Sequence, residues 1–333
     1  MKKVILVGAA VAAMLATGFI ACKPTPPEPP KEIDIYVAGY DNTGAKSVAR
    51  VWKNGKELYA LTTGDNNAEA SSLFVAGSDV YTAGNEYNGT NWVAKVWKNE
   101  DELYALSNGD NYAEAHSVFV ADGKVYTAGK DGKFAKLWKN KNATNLTTGS
   151  NNAEALSVFV AGSNVYTAGY ESNGTKNVAK VWKKGSELYA LTNGDNTAQA
   201  YSVFVAGEDV YTAGFEHNGT EYVAKVWKNK KVVFKTDGSK YSIANSVYVA
   251  GEDIYVAGSE GGVLKVWKNG EELYELADMG VANCIVVYNG DVYVAGYETE
   301  DSDDVAKVWK NGKELYTLAD KGEARSIFIA ERM

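Results

Sequence analysis

The chain has 333 residues, 45% of them apolar, with 22 Tyr, 9 Phe and 8 Trp against only 5 Pro. That length suits one large all-β domain or two ordinary ones, and the aromatic, proline-poor composition leans toward strands. A formal net charge of −8 with no basic stretch argues against nucleic-acid binding and against charge-driven docking on anionic lipid.

Residues 1–21 read as a secretory signal, with two lysines followed by an apolar run that ends in small residues. The ending Phe19-Ile20-Ala21-Cys22 resembles a bacterial lipobox, which implies cleavage before Cys22 and acylation of its thiol. Phe19 stands where Leu is usual. Acylation by palmitate-type chains stabilises anchoring by about 0.8 kcal/mol per buried methylene, and two or more chains hold firmly. The alternative is an uncleaved anchor, since Val4 to Ala21 nearly spans a bilayer. Lys23 favours the outer membrane over inner-membrane retention. Residues 22–32 carry all 5 prolines and form a polyproline stalk of about 30 Å.

From residue 33 to 333 one motif repeats. The Trp of its VWKN element recurs at Trp52, Trp97, Trp138, Trp182, Trp227, Trp267 and Trp309, at intervals of 40 to 45 residues. Each repeat holds four β-forming runs: A (SVFVA), B (NVYTAG), C (VAKVWK) and D (ELYALT). A tight Gly turn separates A from B, and Asn-Gly or a variant separates C from D, a strong hairpin signal. Longer loops join B to C and D to the next A. This predicts an all-β, seven-bladed β-propeller with four antiparallel strands per blade. Trp92, the eighth tryptophan, falls in a connecting segment. Cys284, in an apolar run, reads as a small buried hydrophobe, and no disulfide with Cys22 is implied.

The first repeat begins at run B (Ile33–Ala38) and the last ends in an unaccompanied run A (Ser326–Ala330). Together they make one blade, so the C-terminal strand is expected to pair with the N-terminal strand and close the ring, removing the exposed sheet edges. Strand A should lie nearest the axis. The uniform Trp, Tyr and Val positions then fill the gaps between blades.

Positions that build the fold repeat, and positions that build a site vary. The residue just before run A varies most: Ser71, His116, Leu156, Tyr201, Asn245, Asn283 and Arg325. Two positions earlier stand Glu69, Glu114, Glu154, Gln199, Ile243, Val281 and Glu323. If these face the channel, they set an acidic arc opposite an apolar arc, suited to a ligand with a cationic or polyhydroxyl side and an apolar side. Otherwise the glutamates cap loop amides or stand solvated at the rim. The B-to-C loops add Tyr40, Asn85, Lys130, Tyr170, Phe215, Ser259 and Tyr297. The Gly-Asp-Asn segments lack a DxDxDG ladder and read as Asx turns, so neither a metal nor a cofactor is expected. Catalytic signatures are sparse. Glu114 and His116 share a face by alternation, but no nucleophile accompanies them.

The repeat AGYxxNG…VWKNG…LTxG…AEAxSVFV resembles that of uncharacterised bacterial lipoproteins with seven-bladed propellers, over about residues 33–330. It lacks the WD40, Kelch and NHL signatures, and the likeness implies no chemistry. The expectation is a monomeric, lipid-anchored envelope protein, exposed at the surface or in the periplasm. It binds a protein or glycan at the channel mouth without catalysis. The alternative is a glycan-active hydrolase or lyase at the same mouth.

Overall fold

Asn-Gly pairs close the C-to-D hairpins with left-handed backbone, as at Asn54 (φ 51°) and Gly55 (φ 79°). This is the turn geometry whose twist matches the flanking strands. The Asn side chain then locks the hairpin to strand B. Asn54 Oδ1 accepts from the Ile35 amide at 2.8 Å, and Asn99 and Asn229 do the same for Val80 and Val210.

The computed structural model describes residues 31–332; the signal segment, Cys22 and all but the end of the stalk lie outside the described residues. Among the described residues there are 28 strands, in seven four-stranded antiparallel sheets, and no helix. Blade 2 shows the plan: β4 (Ala68–Ala76), β5 (Asp79–Tyr87), β6 (Trp92–Lys98) and β7 (Asp101–Ala105) pair in sequence order as A, B, C and D. Each A strand contacts the A strands of both neighbouring blades, so the A strands form the innermost ring.

Blade 1 is assembled from both ends of the chain. Strand β28 (Gly322–Glu331) pairs antiparallel with β1 (Ile33–Asp41), from Ile33 opposite Glu331 to Asp41 opposite Gly322. The ring is therefore a closed seven-bladed propeller, as its sequence predicts.

The C-strand tryptophans are the mortar. Trp97, Trp138, Trp182 and Trp227 are each about 1% exposed. Trp227 of blade 5 packs on Tyr166, Ala179 and Val181 of blade 4. Removing such a ring costs about 3–5 kcal/mol.

Three expectations need correction. Trp92 is not in a connecting segment: it opens β6 and packs edge-on against Tyr87, with centroids 6.0 Å apart. The A strands begin four residues before the SVFVA run, so the glutamates and the variable residues lie inside strands and not ahead of them. Likewise Tyr40, Lys130, Tyr170 and their counterparts end the B strands and do not sit in loops. In each case the hydrogen-bond ladder continues past the point where the apolar alternation stops.

Candidate functional site

The variable residue of each blade occupies a β-bulge. In blade 2, Ala70 pairs with Gly84 and Ser72 with Ala83, leaving Ser71 unpaired. The same skip isolates His116, Leu156, Tyr201, Asn245, Asn283 and Arg325. A bulge re-aims a side chain and bends its strand. The glycine of the repeated Ala-Gly pair permits it. A Cβ on Gly84 would stand 2.0 Å from the Glu69 carbonyl oxygen, and the other six blades show the same approach within 0.1 Å. The seven bulge side chains converge on one axial cavity of about 390 Å³.

Below the bulges, a belt of hydroxyls joins the blades. Ser72 Oγ accepts the Val118 amide, Ser117 the Val158 amide and Ser157 the Val203 amide, all at 3.1–3.2 Å. Ser326 accepts the Leu73 amide and carries the belt across the closure. Cys284 holds the seventh serine position. Burial pushes its thiol pKa up, against contacts with the Ile327 amide, Ser246 and Ser326. It is half-buried, and it both takes the belt position and packs as a small hydrophobe against the cluster that holds Ala324 and Ile327. Deeper still, Phe328, Phe74, Phe119, Phe159, Phe204 and Tyr248 form a run of tilted rings, with centroids 4.6–5.2 Å apart.

Above the bulges, toward the mouth where the B-to-C and D-to-A loops emerge, the glutamates are neither solvated nor capping loop amides. Ion pairs gather them into two clusters. Arg325 donates to Glu69 at 2.6 Å and to Glu323 at 3.0 Å, with its guanidinium 4.8 Å from the Tyr40 ring centre. The Tyr40 hydroxyl donates to Glu323 at 2.8 Å, and burial and that carboxylate push its pKa up. Lys130 bridges Glu154 at 2.6 Å and Glu114 at 3.2 Å. Tyr112 donates to Glu114 at 2.7 Å, and Lys130 lies 4.7 Å from the Tyr112 ring centre.

His116 sits inside the second cluster. Its Nε2 is buried without a hydrogen-bond partner, 3.7 Å from a carboxylate oxygen of both Glu114 and Glu154. Burial lowers its pKa in spite of those two carboxylates. Burial alone would raise the pKa of Glu114, but His116, Lys130 and the Tyr112 hydroxyl outweigh it and hold it low. Donor atoms of Glu114, His116 and Glu154 lie within 4.8 Å of one another, close enough for a metal, yet the Lys130 ammonium already supplies a cation to both carboxylates.

The opposite wall is aromatic and aliphatic. Tyr201 packs on Phe215 at 5.8 Å, Phe215 stacks on Tyr222 at 4.3 Å, and Tyr222 meets Tyr241 at 5.2 Å. Burial raises the Tyr201 pKa, so its hydroxyl stays protonated as a donor. Gln199 lies opposite Phe215 across its strand pair, Ile243 opposite Ser259 and Val281 opposite Tyr297. Asn245 and Asn283 donate to the Ala282 and Ala324 carbonyls of the next blade at 3.1 and 3.0 Å, which fixes their amides at the cavity.

The arc and its counter-arc therefore exist as positions, but two carboxylate pairs on one side share two built-in cations. Sequence reasoning placed Lys130 beside this ring without recognising it as the partner of Glu114 and Glu154. The signal was there: Lys130 stands at the strand-B position that pairs with Glu114.

No protein-family model and no curated protein sequence matches the chain. Among solved structures it is similar to the WD40 β-propeller domain of Doa1, with a TM-score of 0.51 and 18% identity, over 82% of this chain and 83% of that one. At that identity the likeness shows a shared propeller fold.

Proposed function

We propose that the chain is a lipid-anchored envelope propeller whose channel mouth binds a glycan or a protein segment without transforming it. The observation that carries this reading is the bulge ring: seven residues of six kinds, one from each of seven otherwise similar blades, meet in one cavity. Uniform blades need no such variety for folding. A saccharide is favoured over a peptide. Each carboxylate pair shares one cation, Arg325 or Lys130, so the oxygens are partly neutralised and keep room to accept hydroxyl donors, and the Tyr201–Phe215 wall offers a ring face for stacking.

The lipobox-like ending at Cys22 and the proline stalk support an anchor on the outer membrane. Palmitate labelling of the parent and of Cys22→Ser, with protease shaving of intact cells, tests the anchor and the exposed side. A panel of glycans and peptides titrated against the parent and Tyr201→Ala tests the ligand. Saturable binding lost in the variant is expected, whereas a silent panel would remove the reading. The buried imidazole between Glu114 and Glu154 gives the hydrolase reading its only foothold, and that reading requires turnover that disappears in Glu114→Gln.

A further inference from the structure

Each D strand is the outer edge of its sheet. In most blades that edge takes part in a charge clamp on the C-strand cation. Lys95 lies between Glu86 (2.6 Å) on strand B and Glu102 (2.7 Å) on strand D. Lys180 lies between Glu171 and Glu187, both at 2.7 Å, and Lys265 between Glu260 and Glu272. Burial alone would lower the Lys265 pKa, but the two glutamates outweigh it and raise it.

Blade 5 breaks this pattern. Its C strand, β18 (Tyr222–Lys228), presents Lys225 to Glu216 on strand B at 2.5 Å. Its D strand, β19 (Lys231–Lys235), has Val232 opposite Trp227, where blade 4 has Glu187 opposite Trp182. The second carboxylate is missing. Lys235 instead stands directly across from Lys225, at the position held by Ala105 and Ala190 in blades 2 and 4. Like charges facing across a strand pair repel. Val232 and Val233 are 38% and 40% exposed, and with Lys225, Phe234 and Lys235 they line a cavity of about 370 Å³. Among the described residues Lys230, Lys231 and Lys235 form no ion pair. Blade 3 also lacks the clamp, with Ala143 opposite Trp138, but its short D strand (Asn142–Asn145) offers no apolar surface.

Lysines guard edge strands elsewhere in proteins, but here they flank a bare valine pair and leave a cation half-paired. The need is specific: a carboxylate between Lys225 and Lys235, apolar contact for Val232 and Val233, and main-chain partners for an open edge. We propose that β19 is a docking edge for an extended segment of an acidic partner protein, added as a fifth strand to blade 5. One of the segment's carboxylates completes the clamp on Lys225. This is strand addition, with backbone hydrogen bonds supplying affinity and the alternating side chains supplying selection.

The probe is a labelled peptide with the sequence of residues 100–107 of this chain, EDELYALS, which carries the required alternation. It is titrated against the full chain by fluorescence anisotropy. Saturable binding is expected, weakened several-fold when salt rises from about 0.05 to about 0.5 M because the charges are screened. Val232→Glu restores the repeat's own clamp. It should melt at or above the parent temperature and weaken peptide binding about tenfold or more. Lys235→Ala, which copies blades 2 and 4, should weaken it less. Absence of saturable binding, or equal binding to Val232→Glu, overturns the proposal. Self-association of the full chain without peptide, abolished by Val232→Glu, would seat a second copy on this edge and overturn the choice of a foreign partner.

Discussion

Arg325 in the last strand donates to the Glu69 carboxylate at 2.6 Å, joining positions 256 residues apart across the seam where the ring closes. The same guanidinium holds Glu323. Replacing Arg325 with Gln leaves two half-buried carboxylates facing each other without a cation. A loss of about 1–3 kcal/mol at pH 7 is expected, smaller than for a fully buried pair because all three side chains keep some solvent. The loss should shrink when about 1 M salt screens the two carboxylates from each other. Urea unfolding at low and at high salt checks it, and an equal loss at both would contradict the electrostatic account.

Gly84 carries the bulge geometry. With backbone 2.0 Å from any added Cβ, Gly84→Ala must push strands A and B apart, at a cost of about 3 kcal/mol or more. Gly77, in an open turn with φ 65° and nothing within 4 Å, is the control. Its alanine variant should cost about 1 kcal/mol, from the left-handed backbone alone. Comparable melting temperatures for the two variants would show that close approach is not what the repeated glycine serves.

Thr167 is fully buried opposite Trp182, and its Oγ1 has no hydrogen-bond partner. Blades 1, 6 and 7 place Val37, Val256 and Val294 at this position. Thr167→Val keeps the shape and removes an unsatisfied hydroxyl, so stability should rise by about 1 kcal/mol. A decrease in the denaturant midpoint would indicate a partner for that hydroxyl.

Asp34 binds Lys53, Asn54 and Arg332 at the closing seam. Burial alone would raise its pKa, but those hydrogen bonds outweigh it and hold it at about 2. The folded-state value lies below the unfolded one, so the stabilisation is complete above about pH 4 and disappears as pH falls through 2. Asp34→Asn should therefore lower the melting temperature at pH 7 and change it little at pH 2. A uniform shift across that range would contradict the assignment.

Much of this was legible in the residues because a propeller repeats its reasons. The Trp spacing, the Asn-Gly hairpins and the split first blade each specify one physical requirement, and the ring follows from them together. Glu114 and His116 were expected to face one way by strand alternation, and they do. The bulge was not legible. Alternation has period two, and the extra residue between Ala70 and Ser72 slips its phase from Ala68 and Ala70 to Leu73 and Val75, a slip that the apolar Phe74 between them hides. Its trace was the glycine of Ala-Gly in strand B, which pattern reading treats as a strand end. Ion pairs such as Lys130 with Glu154 join neighbouring blades, and only the three-dimensional ring brings those positions together.

The central claim is that the bulge ring forms a ligand site. Its most direct test is calorimetric titration of the strongest saccharide from a broad panel into the parent and into a Tyr201→Ala, Asn245→Ala double variant shown to melt normally. The account predicts one site per chain and a loss of affinity of about a hundredfold in the variant. Parental affinity in the variant would place the ligand elsewhere and leave the seven converging side chains without the role assigned to them.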